Sequence, residues 1–222
     1  TLLSGEPAGI YLKGDVLREP GITLAGKIAA KTGCTLYAPT SNSRIDRGAG
    51  RVAVTRIPYV VDKALECLSH LKHIIGIGDA EPVAFFAYPE KPSRVAPEDC
   101  HVQHLASLDQ DGVRTLEMLV EALDAHNQIP PITQRCEVAL PTGILTQDSI
   151  AAAISNLLPE NAIVVDESIS SGRQLDSQTA GALPHSWLSV CGGAIGIGLP
   201  LVVGAGIACP DQKIIGLQAD GS

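Results

Sequence analysis

Apolar positions along the chain fall into short blocks of two kinds, compact runs of four to six residues and longer stretches with helical spacing. Residues 8–13 (AGIYLK) read as a buried strand, and the stretch from Pro20 to Lys31, closed by Gly33, reads as a helix, giving one strand–helix unit. Further strands are expected at Thr35–Ala38, Val52–Thr55, His73–Ile77 and Val102–Leu105, with helices at Val60–Leu71 and Gly112–Ala125. From Asn127 the periodicity breaks down, and NQIPPITQRCEVALP holds three prolines, so 127–141 is expected to be a linker. A second alternation follows. Helices are expected at Thr146–Leu158, Ser171–Ala180 and Ile195–Ala208, and strands at Ala162–Asp166, Trp187–Val190 and Lys213–Ala219. The fold class is therefore α/β: two doubly wound parallel-sheet domains, 1–126 and 142–222, the second truncated. No internal repeat is visible.

Composition narrows the picture. Among 222 residues, 16 Lys+Arg against 24 Asp+Glu give a formal charge of −8, which argues against nucleic acid or an anionic membrane as partner. Apolar residues make up 45 %, so disorder is excluded, and with aromatics at 3 % the core must come from Ala, Val, Ile and Leu. No apolar run approaches the roughly 18 residues that cross a bilayer. No basic region followed by an apolar core opens the chain, so the expected location is cytoplasmic. The six cysteines form no CxxC pair and are expected to be buried, reduced thiols. The chain begins on Thr1 rather than Met and stops at Ser222 directly after a strand, so part of a longer polypeptide is expected.

Three strand ends in the second half carry candidate chemistry. Cys191–Pro200 (CGGAIGIGLP) holds four glycines before an apolar helix; it is not a GxGxxG motif, and a tight turn would explain it as well as a ligand would. Ile214–Leu217 leads into Ala219-Asp220-Gly221-Ser222, which puts a carboxylate on a turn where it could ligate Mg²⁺, although Asp-Gly is also an ordinary turn. Val165–Gly172 (VDESISSG) offers hydroxyls and amides suited to phosphate, or a plain helix cap.

Taken together, in this order and spacing, these segments resemble the thiamine-diphosphate-dependent 2-oxo acid enzymes, the acetolactate synthases and benzoylformate decarboxylases among them. The run GGAIGIGLPLVVGAGIACPDQKIIGLQADGS is similar to the stretch that precedes and opens the family's GDG…NN cofactor motif, and AYPEKPSR at Ala87–Arg94 fits its acetolactate synthase large subunit-like members. By that resemblance 1–126 is the central domain and 142–222 the start of the pyrophosphate-binding domain. The resemblance implies thiamine diphosphate and Mg²⁺ as cofactors. Asp220 would be the metal carboxylate, with Gly221 and Ser222 lining the diphosphate, and Ile169 and Ser170 would contact the diphosphate by amide and hydroxyl. Gly193 would offer a carbonyl to the aminopyrimidine, and Ile195 would wedge the cofactor into its bent form. Ala219 replaces the first glycine of GDG. The paired asparagines would lie beyond Ser222, and the glutamate that activates the aminopyrimidine would lie in an N-terminal domain. No catalytic residue is therefore expected within these residues, which alone should be inactive.

The resemblance implies decarboxylation of a small-molecule 2-oxo acid, with transfer of the acyl unit to a second carbonyl, in a homodimer or homotetramer. A simple decarboxylase of benzoylformate type and a non-catalytic nucleotide-binding module are the alternatives. Ile75–Asp79 sits where some relatives hold FAD or ADP, and Arg44, Arg47, Arg51 and Arg56 could face a nucleotide phosphate; a plain turn and a solvated loop are the competing readings. His101 and His104, three apart on an expected strand, do not suggest a metal pair, and no hydrolase triad is visible.

Overall fold

The computed structural model describes residues 1–79 and 81–222. In chain order the first elements are β1 (Ala8–Leu12), α1 (Glu19–Thr32), β2 (Thr35–Ala38), β3 (Ile45–Arg47), β4 (Thr55–Arg56), α2 (Val61–Leu68), β5 (His73–Ile77), β6 (His101–Ala106) and α3 (Gly112–Ala122). There follow α4 (Gln147–Leu157), β7 (Ile163–Glu167), α5 (Leu175–Gln178), β8 (His185–Ser189), α6 (Gly198–Ala208) and β9 (Ile214–Gln218). They sort into two compact units, Thr1–Thr40 with Val54–Pro131, and Ser41–Ala53 with Ile132–Ser222.

The first unit is a parallel sheet in the order β4-β2-β1-β5-β6. Successive strand residues point to opposite faces. Tyr11, Tyr37 and Ile74 accordingly pack with Val61, Ala64 and Leu68 of α2 in one core cluster, while Ile10 and Leu12, also fully buried, face the other side. Helix α1 begins with Pro20 in its first turn and stops where Gly33 turns left-handed at φ 77°, its amide closing on the Ala29 carbonyl at 2.8 Å. Its buried stripe runs through Ile22, Ala25 and Ile28. Asp111 caps α3 by accepting from the Arg114 amide at 2.9 Å.

The second unit is a mixed sheet in the order β3-β8-β7-β9, in which β7, β8 and β9 are parallel and β3 is antiparallel to β8. Trp187, Val164, Leu175, Leu158 and Ala151 form its core against α4 and α5. Thr146 and Ser149 close a reciprocal capping box at the start of α4. On the other face Val202 of α6 lies where a Cβ on Gly216 would come within 2.8 Å, so a glycine lets the helix sit down on β9.

Several expectations need correction. Ser41–Ala53, assigned above to the first domain, belongs to the second unit, because Ile45, Asp46 and Arg47 pair with Trp187, Ser186 and His185. The second sheet is consequently mixed rather than wholly parallel. Val52–Thr55 is no strand: Val52 makes an isolated bridge to Ile132, and β4 covers only Thr55–Arg56. The second part of the expected linker is bonded to the second unit, the Thr133 amide to the Arg51 carbonyl at 2.8 Å and the Cys136 amide to the Gly181 carbonyl at 3.0 Å. The helix expected over Ser171–Ala180 shrinks to one turn. All six cysteines are free, as expected, but only Cys34 and Cys100 are buried; Cys67, Cys191 and Cys209 are half-buried and Cys136 is exposed. Among the described residues no helix is long and apolar enough to cross a membrane.

Candidate functional site

In the second unit β8 lies on one side of β7 and β9 on the other, so the chain reverses its direction of travel across the sheet between β7 and β9. At such a switch point the loops leaving neighbouring strand ends diverge and open a crevice at their carboxyl ends, where α/β sheets hold ligands. The three loops that leave β7, β8 and β9 on this edge contain every site residue expected from the sequence: Ile169 and Ser170, Gly193 and Ile195, and Asp220, Gly221 and Ser222. All seven are exposed, and Ala219, which precedes Asp220, is half-buried.

After β7 the backbone turns at once. Ile169 takes φ 49°, a left-handed conformation that a β-branched residue adopts only under constraint. The constraint is visible on both sides of it. Asp166 accepts from the Ser168 amide at 3.0 Å and from the Ser168 hydroxyl, and its other oxygen accepts from the Trp187 indole at 3.3 Å. Ser171 bonds back to the Ser168 carbonyl, by amide at 3.2 Å and hydroxyl at 2.8 Å. A Cβ on Gly172 would meet the Ser168 hydroxyl at 1.8 Å, so a larger residue there would have to displace that side chain from its bond to Asp166. This turn leaves the Ser170 side chain exposed.

After β8, Gly192, Gly193 and Gly196 all have positive φ, at 64°, 69° and 92°. The Gly193 carbonyl accepts from the Ile195 amide at 3.0 Å, which leaves it a second lone pair. Ile195 is 70 % exposed, an apolar side chain held out of the core. After β9, the Ala219 amide donates to the Glu167 carbonyl at 3.0 Å and the Ser222 amide to the Ala219 carbonyl at 3.4 Å. Ala219 is not among the residues with positive φ, so the methyl group in place of glycine brings no backbone strain.

Glu167, the last residue of β7, was not singled out by the sequence reading. Its side chain is 1 % exposed, and its carboxylate accepts from the amides of Gly196 and, at 2.6 Å, Gly198. The Gly196 amide foremost, with Gly198, Gln218 and Ser222 adding to it, holds the Glu167 carboxyl below the usual carboxylate range against the opposing effect of burial. This negative charge already occupies the N-terminus of α6. Among the described residues no three His, Cys, Asp or Glu side chains cluster as a metal cage.

The remaining candidates go elsewhere. Arg47 donates to the Asp176 carboxylate at 2.8 Å and stacks over Trp187, Arg44 pairs with Asp46, and Arg51 donates to the His185 carbonyl at 2.7 Å. Arg47 and Arg51 thus tie the β3 segment to the rest of the second unit and are neither a phosphate clamp nor a solvated loop, while the Arg44–Asp46 pair lies within the segment itself. His101 stacks on His73, while His104 meets the Ala106 carbonyl at 2.8 Å. Asp79 pairs with Lys13 at 2.5 Å, and Gly78 sits so close to the Lys13 carbonyl that a Cβ would come within 2.0 Å.

No protein-family model matches the chain. It is 42 % identical over 221 residues, all of this chain and 42 % of the relative, to a protein of Mycobacterium tuberculosis named as a candidate acetolactate synthase large subunit, IlvX. It is 33 % identical over 120 residues, half of this chain and 22 % of the relative, to benzoylformate decarboxylase of Pseudomonas aeruginosa. The chain thus spans less than half the length of the curated relatives it matches. Its fold is shared by the thiamine diphosphate-dependent 4-hydroxybenzoylformate decarboxylase of Rhodococcus jostii RHA1, with TM-score 0.73 and 24 % identity over 99 % of this chain and 44 % of that one. It is shared also by a candidate thiamin diphosphate-dependent enzyme of Mycobacterium smegmatis, with TM-score 0.67 and 20 % identity over 96 % and 45 %. The solved structures show the shared fold. In sequence the likeness runs to a protein named as an acetolactate synthase large subunit and to a benzoylformate decarboxylase.

Proposed function

We propose that this chain carries the diphosphate- and metal-anchoring edge of a thiamine-diphosphate- and Mg²⁺-dependent enzyme that decarboxylates a 2-oxo acid and transfers the acyl unit to a second carbonyl compound. The observation that carries the reading is the convergence of the Ile169 turn, the glycine turn and the Asp220 turn on one switch-point edge. Bound there, the cofactor supplies a carbon centre that adds to the ketone and takes up the electrons released as CO₂ leaves. Asp220 holds Mg²⁺ against the diphosphate, with Gly221 and Ser222 alongside. The Ile169 amide and the Ser170 hydroxyl donate to the diphosphate oxygens. Gly193 presents its free carbonyl lone pair to the aminopyrimidine, and Ile195 supports the bent cofactor from below. The group that activates the aminopyrimidine is assigned to a part of the protein outside these residues.

A benzoylformate-type decarboxylase, which protonates rather than transfers the acyl unit, is the second reading, favoured by the likeness to benzoylformate decarboxylase. In either reading the protein works on small molecules and as an assembly of at least two copies. The test is calorimetric titration of the complete protein with thiamine diphosphate and Mg²⁺, followed by product analysis with pyruvate and with benzoylformate. Mg²⁺-dependent binding and an acetolactate-type product are expected. An aldehyde as sole product would select the second reading, and no binding would overturn both.

A further inference from the structure

The Glu167 carboxylate lies where the three loops meet, yet nothing in the proposed cofactor contacts uses it. It accepts from two amides of the glycine turn, Gly196 and Gly198, across 29 and 31 residues of sequence. Its own backbone carbonyl holds the Ala219 amide at 3.0 Å, one residue before Asp220. The fit is close: a Cβ on Gly198 would come within 2.6 Å of both the Glu167 carboxylate and the Gln218 amide oxygen. A buried carboxylate is costly unless its oxygens are bonded, and here they take two amides of the glycine turn, with Gln218 and Ser222 beside them. A role in stability alone would be met equally by an apolar side chain filling the same space.

We propose that Glu167 is a positioning residue: its carboxylate fixes the Gly192–Gly198 turn, and with it the Gly193 carbonyl and Ile195, relative to the Asp220 turn that its backbone holds. This rests on the functional reading above and deepens it, by separating two jobs. The Ser170 and Asp220 turns hold the diphosphate and metal, and Glu167 sets the part of the site that receives the aminopyrimidine and the bent cofactor. Glutamine is the informative replacement, because it keeps the shape but turns one acceptor into a donor that faces the amide of Gly196 or Gly198. Gly198→Ala reaches the same contact from the other side by pushing the carboxylate away.

The experiment compares, in the complete protein, Mg²⁺-dependent affinity for inorganic pyrophosphate and for thiamine diphosphate, together with turnover at saturating cofactor and amide exchange of Gly196 and Gly198 in the ligand-free protein. For Glu167→Gln and Gly198→Ala we expect pyrophosphate affinity within about threefold of wild type. Thiamine diphosphate affinity and turnover should each fall at least tenfold, and the two amides should exchange at least tenfold faster while Val164 and Val165 in β7 stay protected. The double variant should be no worse than the poorer single one, since both break one contact. Glu167→Gln with wild-type affinity and turnover overturns the proposal, as does an equal loss of both ligands, which would mark a general structural role. Should Glu167→Gln fail to fold, the same outcomes are read from Gly198→Ala, and rapid exchange of both amides in the wild type would itself overturn the clamp. Absence of thiamine diphosphate binding by the wild type would overturn the functional reading instead, and the clamp would then stand or fall on the exchange data.

Discussion

The sheet of β4-β2-β1-β5-β6 and the sheet of β3-β8-β7-β9 share parallel strands with a switch point, to which the second adds the antiparallel β3, but they bury different things. Among the described residues all nine buried polar or charged side chains, from Asn42 and Asp46 to Ser186 and Ser189, belong to the second unit. The first buries Tyr, Ile, Leu, Val, Ala and Cys. Buried polar groups need partners, and several of these have them: Ser155 donates to the Gln178 carbonyl, Ser186 to Asp46, and Glu167 accepts from two glycine amides, while the His185 Nε2 is left without one. Such networks contribute little net stability, but each fixes a turn at one geometry. The switch points differ in the same sense. Between β1 and β5 the strand ends are closed by the Lys13–Asp79 pair and the close approach of Gly78. Between β7 and β9 they leave Asp220, Ser170 and Ile195 exposed. One unit is organised for its core, the other for an edge.

The largest effect that would break this contrast is at Asp220. Its side chain is exposed and contributes little to the fold, so Asp220→Ala should keep the thermal unfolding midpoint within a degree or two. It should also lower Mg²⁺-dependent thiamine diphosphate affinity at least 100-fold. Unchanged affinity by calorimetry would remove the metal carboxylate from the edge and the contrast with it. The reverse experiment is Ile10→Ala in the first unit. Ile10 is fully buried in β1, and removing most of its side chain should destabilise the protein by about 2–5 kcal/mol, read by denaturant unfolding. Cofactor affinity below the transition should not change.

Acid should separate the units. Burial lowers the His185 pKa from 6.5 to about 4, with the charges of Arg47 and Arg51 adding to it, so the folded state holds this ring neutral. A depressed folded pKa means the unfolded chain binds the proton first. Stability is then fully present above about pH 6.5 and is lost as the pH falls from there towards 4, by about 3 kcal/mol in all. Glu167, held below its ordinary value, loses its contribution at still lower pH. Trp187 is the single tryptophan and lies in the core of the second unit beside His185, at 5.7 Å between ring centres. Its fluorescence should report this loosening between pH 6.5 and 4, and His185→Gln should flatten the response. An unaltered pH profile in that variant would show that the loss comes from another group.

How much of this was legible in the sequence follows from the range of the interactions. Helix α1 was readable because Pro20, the apolar stripe and Gly33 are all local, and β7 because Val164 and Val165 form a compact apolar run. The three strand ends were readable from their glycines, hydroxyls and acid. Strand β3 was not: Ile45 stands between Arg44, Asp46 and Arg47, and what makes the segment a strand is its pairing with Trp187 and its neighbours about 140 residues on. The Ser171–Ala180 stretch reads as a helix by composition, but the left-handed Ile169 and the Ser168–Ser171 bonds spend its first residues on a turn. Glu167 looked like one more strand-end acid because its partners are backbone amides, which no sequence pattern displays. An acid at the end of a buried strand, about 30 residues before a glycine-rich turn, was the available signal.

Ile195→Ala sharpens the contrast within the second unit. As the exposed side chain of the glycine turn it contributes little to the core, so stability should hold, while turnover at saturating cofactor falls about tenfold and cofactor affinity by less than threefold. Equal turnover in both proteins would make Ile195 an ordinary surface residue.

The smallest effect is expected at the closed switch point of the first unit. Lys13 and Asp79 are 2.5 Å apart with side chains 40 % and 35 % exposed, so solvent screens the pair and Lys13→Ala should lower stability by no more than about 1 kcal/mol. What closes the strand ends is more than charge. The Lys13 amide donates to the Ile77 carbonyl at 2.9 Å and the Gly78 amide to the Ala106 carbonyl at 2.7 Å, and Gly78, at φ 85°, lies directly against the Lys13 carbonyl. These backbone contacts survive truncation of the lysine. Lys13→Ala should therefore leave thiamine diphosphate affinity and turnover at wild-type values, and it should not create affinity for ADP in equilibrium dialysis. Tight ADP binding by the variant but not by the wild type would mean that the ion pair alone bars a nucleotide from this crevice. The two switch points would then differ by one side chain rather than by the path of the backbone.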